Sequence, residues 1–255
     1  SWLETELKSL IRFLVYSNIW VAICVVMLGL STEIILASYN FQISIFLFFS
    51  TLFIYNFQRV VRLKMGGQHM RKEWFYKNKV VVYVLMLISL VVSGYYFNLF
   101  NFTTQLAIFF ITMLSLLYPF GLRKVPFMKI FVISIVWTIG TTVLLVLENN
   151  LIFSVDVILN IIARFLFVFA ITIPFDIRDI KYDTGKLITL PLVFGVNRTQ
   201  HLAILALIIC SIIHINQFLF NTLDLYCLLA LILLYFTSII FVANSNQNRD
   251  DLYFS

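Results

Sequence analysis

The sequence predicts an all-α membrane bundle of about eight transmembrane helices. Three observations carry this. Hydrophobic residues make up 62% of the 255 positions and charged ones only 12%, and mean hydropathy is +0.99, well above the range of water-soluble domains. The apolar residues fall in continuous runs long enough to cross a bilayer, which needs about 20 residues as a helix. The charged residues segregate between alternate loops. Barrel strands would instead alternate apolar and polar positions in segments of about ten residues.

In chain order, the runs lie near 11–30, 34–57, 79–98, 104–119, 127–147, 151–176, 200–220 and 222–243. An amphipathic stretch, Trp2 to Leu10, precedes the first run, so no short basic leader of the removable kind is expected. The third and fourth runs are separated only by Asn98 to Thr104, which predicts a tight hairpin. The chain is expected to form one integral membrane domain over 1–255, with cytoplasmic loops at 58–78 and 177–199.

Charge orients the runs. Arg59, Arg62, Lys64, Arg71, Lys72, Lys77 and Lys79 follow the second run; Arg123, Lys124 and Lys129 follow the fourth; Arg178, Lys181, Lys186 and Arg198 follow the sixth. The opposite loops hold Glu33, Glu148, Asp156 and Asp224 and no Lys or Arg. Positive residues stay on the cytoplasmic side, so these basic loops and both termini are expected there. The net charge of +6 reads as this topological rule plus attraction to anionic lipid, not as nucleic-acid binding. Cys24, Cys210 and Cys227 lie inside apolar runs without paired spacing, which argues against a disulfide framework or a zinc site. His69, His201 and His214 have no metal-ligand spacing either. Arg164, inside the apolar run 157–173, must face the bundle interior toward a polar acceptor or an acidic partner, since a charge facing lipid is costly.

The chemistry concentrates where the sixth run ends, at Asp176-Ile177-Arg178-Asp179-Ile180-Lys181-Tyr182-Asp183-Thr184-Gly185-Lys186. On a helix, Asp176, Asp179 and Asp183 stand at i, i+3 and i+7 and share one face. Three carboxylates so placed repel one another unless a cation sits between them, and hard oxygen ligands suit Mg²⁺. Magnesium in turn suggests a phosphate-bearing ligand. Arg178 and Lys181 supply positive charge on a neighbouring face, and Lys186 follows a glycine that lets the chain turn. Such a row of Asp, Arg and Lys also has a plainer reading as weak surface ion pairs on a juxtamembrane helix.

This stretch, continuing through Thr189-Leu190-Pro191 to Val193-Phe194-Gly195, resembles the second aspartate-rich motif of the UbiA superfamily of intramembrane prenyltransferases. The resemblance implies that Asp179 and Asp183, with Asp176, hold Mg²⁺ against an isoprenoid diphosphate, and that Lys186 contacts the diphosphate. It implies a nine-helix bundle, one span more than the eight marked here; the chain ends on Arg249 to Ser255, which reads as the approach to a further helix. It also implies a central cavity in the bundle and transfer of the isoprenoid to a lipophilic, aromatic acceptor. The family's first motif, Asn-Asp-x-x-Asp-x-x-x-Asp after the second span, is matched only by Asn56. Phe57, Val60 and Lys64 stand at its aspartate positions, with Arg59 and Arg62 between them. Guanidinium groups bind phosphate oxygens in pairs, so Asn56, Arg59 and Arg62 are expected to contact diphosphate; the plainer alternative is that the arginines reach toward lipid headgroups. Tyr118, Arg123 and Lys124, in Tyr118-Pro119-Phe120-Gly121-Leu122-Arg123-Lys124, resemble the family's tyrosine-proline and basic loop and are expected to close the diphosphate site. Cyclisation or hydrolysis of a prenyl diphosphate, or a non-catalytic lipid-binding role, remain alternatives given the altered first motif.

Overall fold

The structure, a computed structural model, describes residues 2–64, 72–120, 125–183 and 188–246; the side chains of 2–8, 72 and 181–183 are outside the description. Among the described residues there is no strand, and the helices are α1 (Trp2–Tyr16), α2 (Ile19–Ile35), α3 (Phe41–Lys64), α4 (Lys72–Lys77), α5 (Lys79–Leu99), α6 (Phe102–Leu117), α7 (Met128–Thr138), α8 (Leu144–Glu148), α9 (Val155–Asp183), α10 (Leu190–Phe194), α11 (Val196–Leu219) and α12 (Leu225–Ala243). A π-helical turn, Ile139–Val143, joins α7 to α8, so the three form one continuous rod.

Six described helices qualify as spans on length and composition, seven if α1 and α2 form one broken span, against the eight runs marked in the sequence. Helix α6 has 16 residues, about 24 Å of rise, which is less than a bilayer core. The run at 11–30 is not one helix. It bends by 69° between Tyr16 and Ile19, because Asn18 takes a left-handed conformation (φ 67°), a region that asparagine tolerates better than most residues. Helix α3 continues to Lys64 and α9 to Asp183, so both stretches expected as loops begin as helix. A helix satisfies its own backbone as it leaves the apolar layer, which an irregular loop cannot do.

Hydrogen bonds define two ends. At one, Glu33 accepts from the Asn40 amide and Ser44, Asn40 donates to Asn149, and Asn101 donates to the Leu147 carbonyl and caps α6. Glu148 receives the Asn101 amide, and Asp156 receives Thr222. The acidic residues marked in the sequence thus serve as loop clamps. At the other end lie the close of α3, the start of α7 and the close of α9.

The core has two main parts. One joins α9, α11 and α12 through Phe167, Ile173, Ile177, Leu207, Cys210 and Tyr235; the other joins α2, α3, α6 and α8 through Val25, Phe46, Leu47, Ile108 and Leu144. A small residue lets α2 approach α3: a Cβ on Gly29 would stand 2.8 Å from Leu47 Cδ1. Cys210 is buried while Cys24 and Cys227 are half-buried, all three as thiols.

Candidate functional site

The last turns of α9 carry the aspartates. Pro174 lies inside the helix just before them and removes one backbone donor without ending it. Asp176 faces the interior at 1% exposure, and Asp179 lies one turn on with its side chain a quarter exposed. Both point at the same cation, which the sequence reading had assigned only to topology. Lys129 Nζ stands 2.7 Å from Asp176 Oδ1 and 3.0 Å from Asp179 Oδ2. Arg178 Nε donates to Asp179 Oδ1 at 2.8 Å, and its guanidinium lies 5.5 Å from the Phe175 ring centre.

The start of α7 holds Lys129 in place. Phe127 adopts a left-handed conformation (φ 61°), donates its N–H to the Ile188 carbonyl at 3.0 Å and stacks on Phe194. The segment that follows the aspartate motif therefore anchors the lysine that pairs with it. No spacing rule could connect positions 129 and 179. The available signal was a lysine two residues inside an apolar run, a costly placement that implies a buried partner.

The expected residues divide into three groups. Asp176 and Asp179 converge on Lys129, Arg178 pairs with Asp179, and Tyr118, 8% exposed at the end of α6, is within electrostatic reach of that lysine. Arg62 is half-buried and donates to the Gln58 carbonyl at 3.3 Å, with Tyr55 within electrostatic reach. Tyr55 in turn receives the Trp137 indole N–H at 3.1 Å. Asn56 and Arg59 turn away. Asn56 is fully buried, donates to the Ser17 and Leu52 carbonyls and accepts from Asn18, each at 2.9 Å. Arg59 is 3% exposed and donates to the Tyr16 carbonyl and to Asn18 Oδ1. These two side chains clamp the α1–α2 bend, and Arg59 does not extend to the surface as a headgroup anchor would. Arg123, Lys124 and Lys186 lie outside the described residues. For Asp183 the backbone is helical, which keeps it on the Asp176 face, but its side chain is outside the description.

Among the described residues, the carboxylate pair at the end of α9 offers oxygen donors of the kind magnesium takes, and the end of α3 offers no carboxylate. At the end of α9, carboxylate oxygens already gather around a cation in Lys129, and Mg²⁺ is commonly held by one or two carboxylates, water and substrate phosphate. At the end of α3, Phe57 stacks on Phe53 and Val60 packs with Leu63, Phe75 and Val82, an apolar seam against α4 and α5. Among the described residues, no group of three His, Cys, Asp or Glu side chains is placed to hold a metal.

The arrangement of helices is that of known proteins. The chain is similar to a UbiA homolog from Aeropyrum pernix K1 in its apo form, at 15% identity over 92% of each chain with a TM-score of 0.68. It is similar to a UbiA homolog from Archaeoglobus fulgidus bound to DMAPP and Mg²⁺, at 13% identity over 94% of this chain and 91% of that one, with a TM-score of 0.63. A digeranylgeranylglyceryl phosphate synthase aligns at 13% identity over 94% and 90%, with a TM-score of 0.60. A comparison with curated protein sequences finds no match. At these identities the solved structures speak for the fold. Residues 76–255 match the family model of the UbiA prenyltransferases, so this integral membrane protein belongs to the UbiA prenyltransferase family.

Proposed function

We propose that the protein transfers an isoprenoid chain from a prenyl diphosphate to a lipophilic, aromatic acceptor within the membrane. The observation that carries this reading is the convergence of Asp176, Asp179, Arg178 and Lys129 at the inner end of α9, in a chain of prenyltransferase lineage. The homolog from Archaeoglobus fulgidus with DMAPP and Mg²⁺ bound gives the reading its substrate class.

Loss of diphosphate from an allylic carbon leaves an anion and a carbocation, so a catalyst must stabilise the first and keep water from the second. Asp176, Asp179 and Asp183 would hold one Mg²⁺, which when bound offsets negative charge on the diphosphate. Arg178, paired with Asp179, and Lys129 are the cations beside it, with Arg62, Arg123, Lys124 and Lys186 as further diphosphate contacts. Tyr118 and Tyr55 line the approach with ring faces suited to a cation. An apolar groove of about 300 Å³ runs between α7 and α9, bordered by Ile135, Thr138, Ile162 and Phe165. It is flanked by the same two helices that carry Lys129 and Asp176, which supports an isoprenoid chain lying along it. The aspartate end is proposed to face the cytoplasm, as the basic loops require.

The apolar seam at Val60 supports a second reading, in which the same pocket cyclises or hydrolyses the prenyl diphosphate. Diphosphate release from a panel of isoprenoid diphosphates, with and without Mg²⁺ and aromatic acceptors, separates them. Acceptor-dependent release with a prenylated product is the expected result. Acceptor-independent release with an alcohol or hydrocarbon product favours the second reading. No release from folded protein removes both and leaves a lipid-binding role.

A further inference from the structure

A second polar site lies in the other half of the bundle. Arg164 is twelve residues before Asp176 on α9, about 18 Å along the axis, too far to meet a diphosphate held there. It is 9% exposed and faces inward as its burial cost demands. Its Nη2 donates to Ser31 Oγ at 2.7 Å and Thr32 Oγ1 at 3.0 Å. Both hydroxyls pass their protons to carbonyls: Ser31 to Leu28, and Thr32 to Thr141 in the π-helical turn, each at 2.7 Å. The guanidinium thus has neutral acceptors, and among the described residues no carboxylate pairs with it.

Beside it is a cavity of about 20 Å³ whose polar lining is Arg164, Thr142, Tyr235, His214, Asn160 and Thr32. Thr142 is 1% exposed and its hydroxyl has no hydrogen-bond partner among the described residues. Tyr235 brings a second hydroxyl, 3.2 Å from His214 Nδ1, and that nitrogen stands 2.9 Å from the Cys210 carbonyl. A cation, an unpartnered hydroxyl and a tyrosine therefore border one small space. Hydroxyl acceptors satisfy a guanidinium's geometry but leave its charge uncompensated, which is expensive in an apolar interior. A water molecule in the cavity would have the same shortcoming. A space of this size takes roughly one water-sized particle and excludes a lipid headgroup.

We infer that this cavity binds a monovalent anion of halide size, held by Arg164, Thr142 and Tyr235, as an integral counter-charge joining α2, the π-helical turn, α9 and α12. The site is independent of the prenyl-transfer reading. The test is thermal unfolding of the whole protein, purified in halide-free detergent buffer, titrated with sodium chloride or bromide against sodium gluconate at constant ionic strength. The expected result is a saturable rise in Tm of several degrees with either halide and none with gluconate, as for any ligand that binds the folded state. Thr142→Val should weaken the apparent halide affinity several-fold and Arg164→Met abolish the response. If Arg164→Met does not fold, Thr142→Val and Tyr235→Phe carry the test. Identical melting of the unsubstituted protein in halide and gluconate overturns the proposal, as does a halide response undiminished in every variant that folds.

Discussion

The ends of α3 and α9 both bury charged side chains, yet they solve different electrostatic problems. At α9 the buried Asp176 and the partly exposed Asp179 share a lysine from α7, and Arg178 also pairs with Asp179. At α3 the buried charge is the Arg59 cation, and neutral oxygens from Tyr16 and Asn18 receive it. One end is a set of acidic ligands with a cation between them, suited to exchange with metal and phosphate. The other is a structural clamp on a helix bend. The difference teaches that a helix end can hold buried charge either as a cluster of acidic ligands or as a packing clamp, here with Val60 in the seam against α5.

The comparison can be broken most directly at Asp179. Asp179→Asn should lower the rate of diphosphate release by roughly a hundredfold or more, the scale of losing a main electrostatic group, with Tm little changed. Retained turnover would remove α9 from the chemistry. Lys129→Met comes next. It leaves the Asp176 carboxylate buried without its partner and should cost about 3–5 kcal/mol in unfolding free energy. Adding Asp176→Asn should restore most of the loss, and a double-mutant cycle in detergent measures the coupling. For the α3 end, Arg59→Met should cost about 2 kcal/mol by orphaning the Tyr16 carbonyl and Asn18, while KM for the prenyl diphosphate stays within about threefold, a change worth under 1 kcal/mol. A larger rise in KM at normal stability would return Arg59 to the diphosphate. The smallest effect is expected at Arg178→Gln, a partly exposed ion pair. KM should rise by a few-fold at low salt, and the difference should shrink as ionic strength screens the site.

The bundle was legible because continuous apolar runs report burial in lipid directly, and the Asn98 to Thr104 hairpin formed as read, with Asn101 capping α6. The aspartate face was legible because i, i+3 and i+7 are local relations. Lys129 was not, since its partnership spans fifty positions and depends on how α7 packs on α9. The break at Asn18 was also hidden: the run 11–30 is apolar throughout, and the bend rests on Asn56 and Arg59, nearly forty residues away. Arg164 was read correctly as inward-facing, and it found hydroxyl acceptors, not an acidic partner.

The π-helical turn at Ile139–Val143 sets the phase of the rod that contains it. Beyond it, Glu148 and Asn149 are tied to Asn101 and Asn40, and before it Lys129 is tied to the aspartates. A wide turn accommodates one more residue than an α-helix would. Removing a single residue there would wind the rod by about 100°, so that either the far loops or the lysine must lose their azimuth. The length of this segment is therefore fixed by angular alignment between its two ends as much as by the thickness of the membrane it crosses.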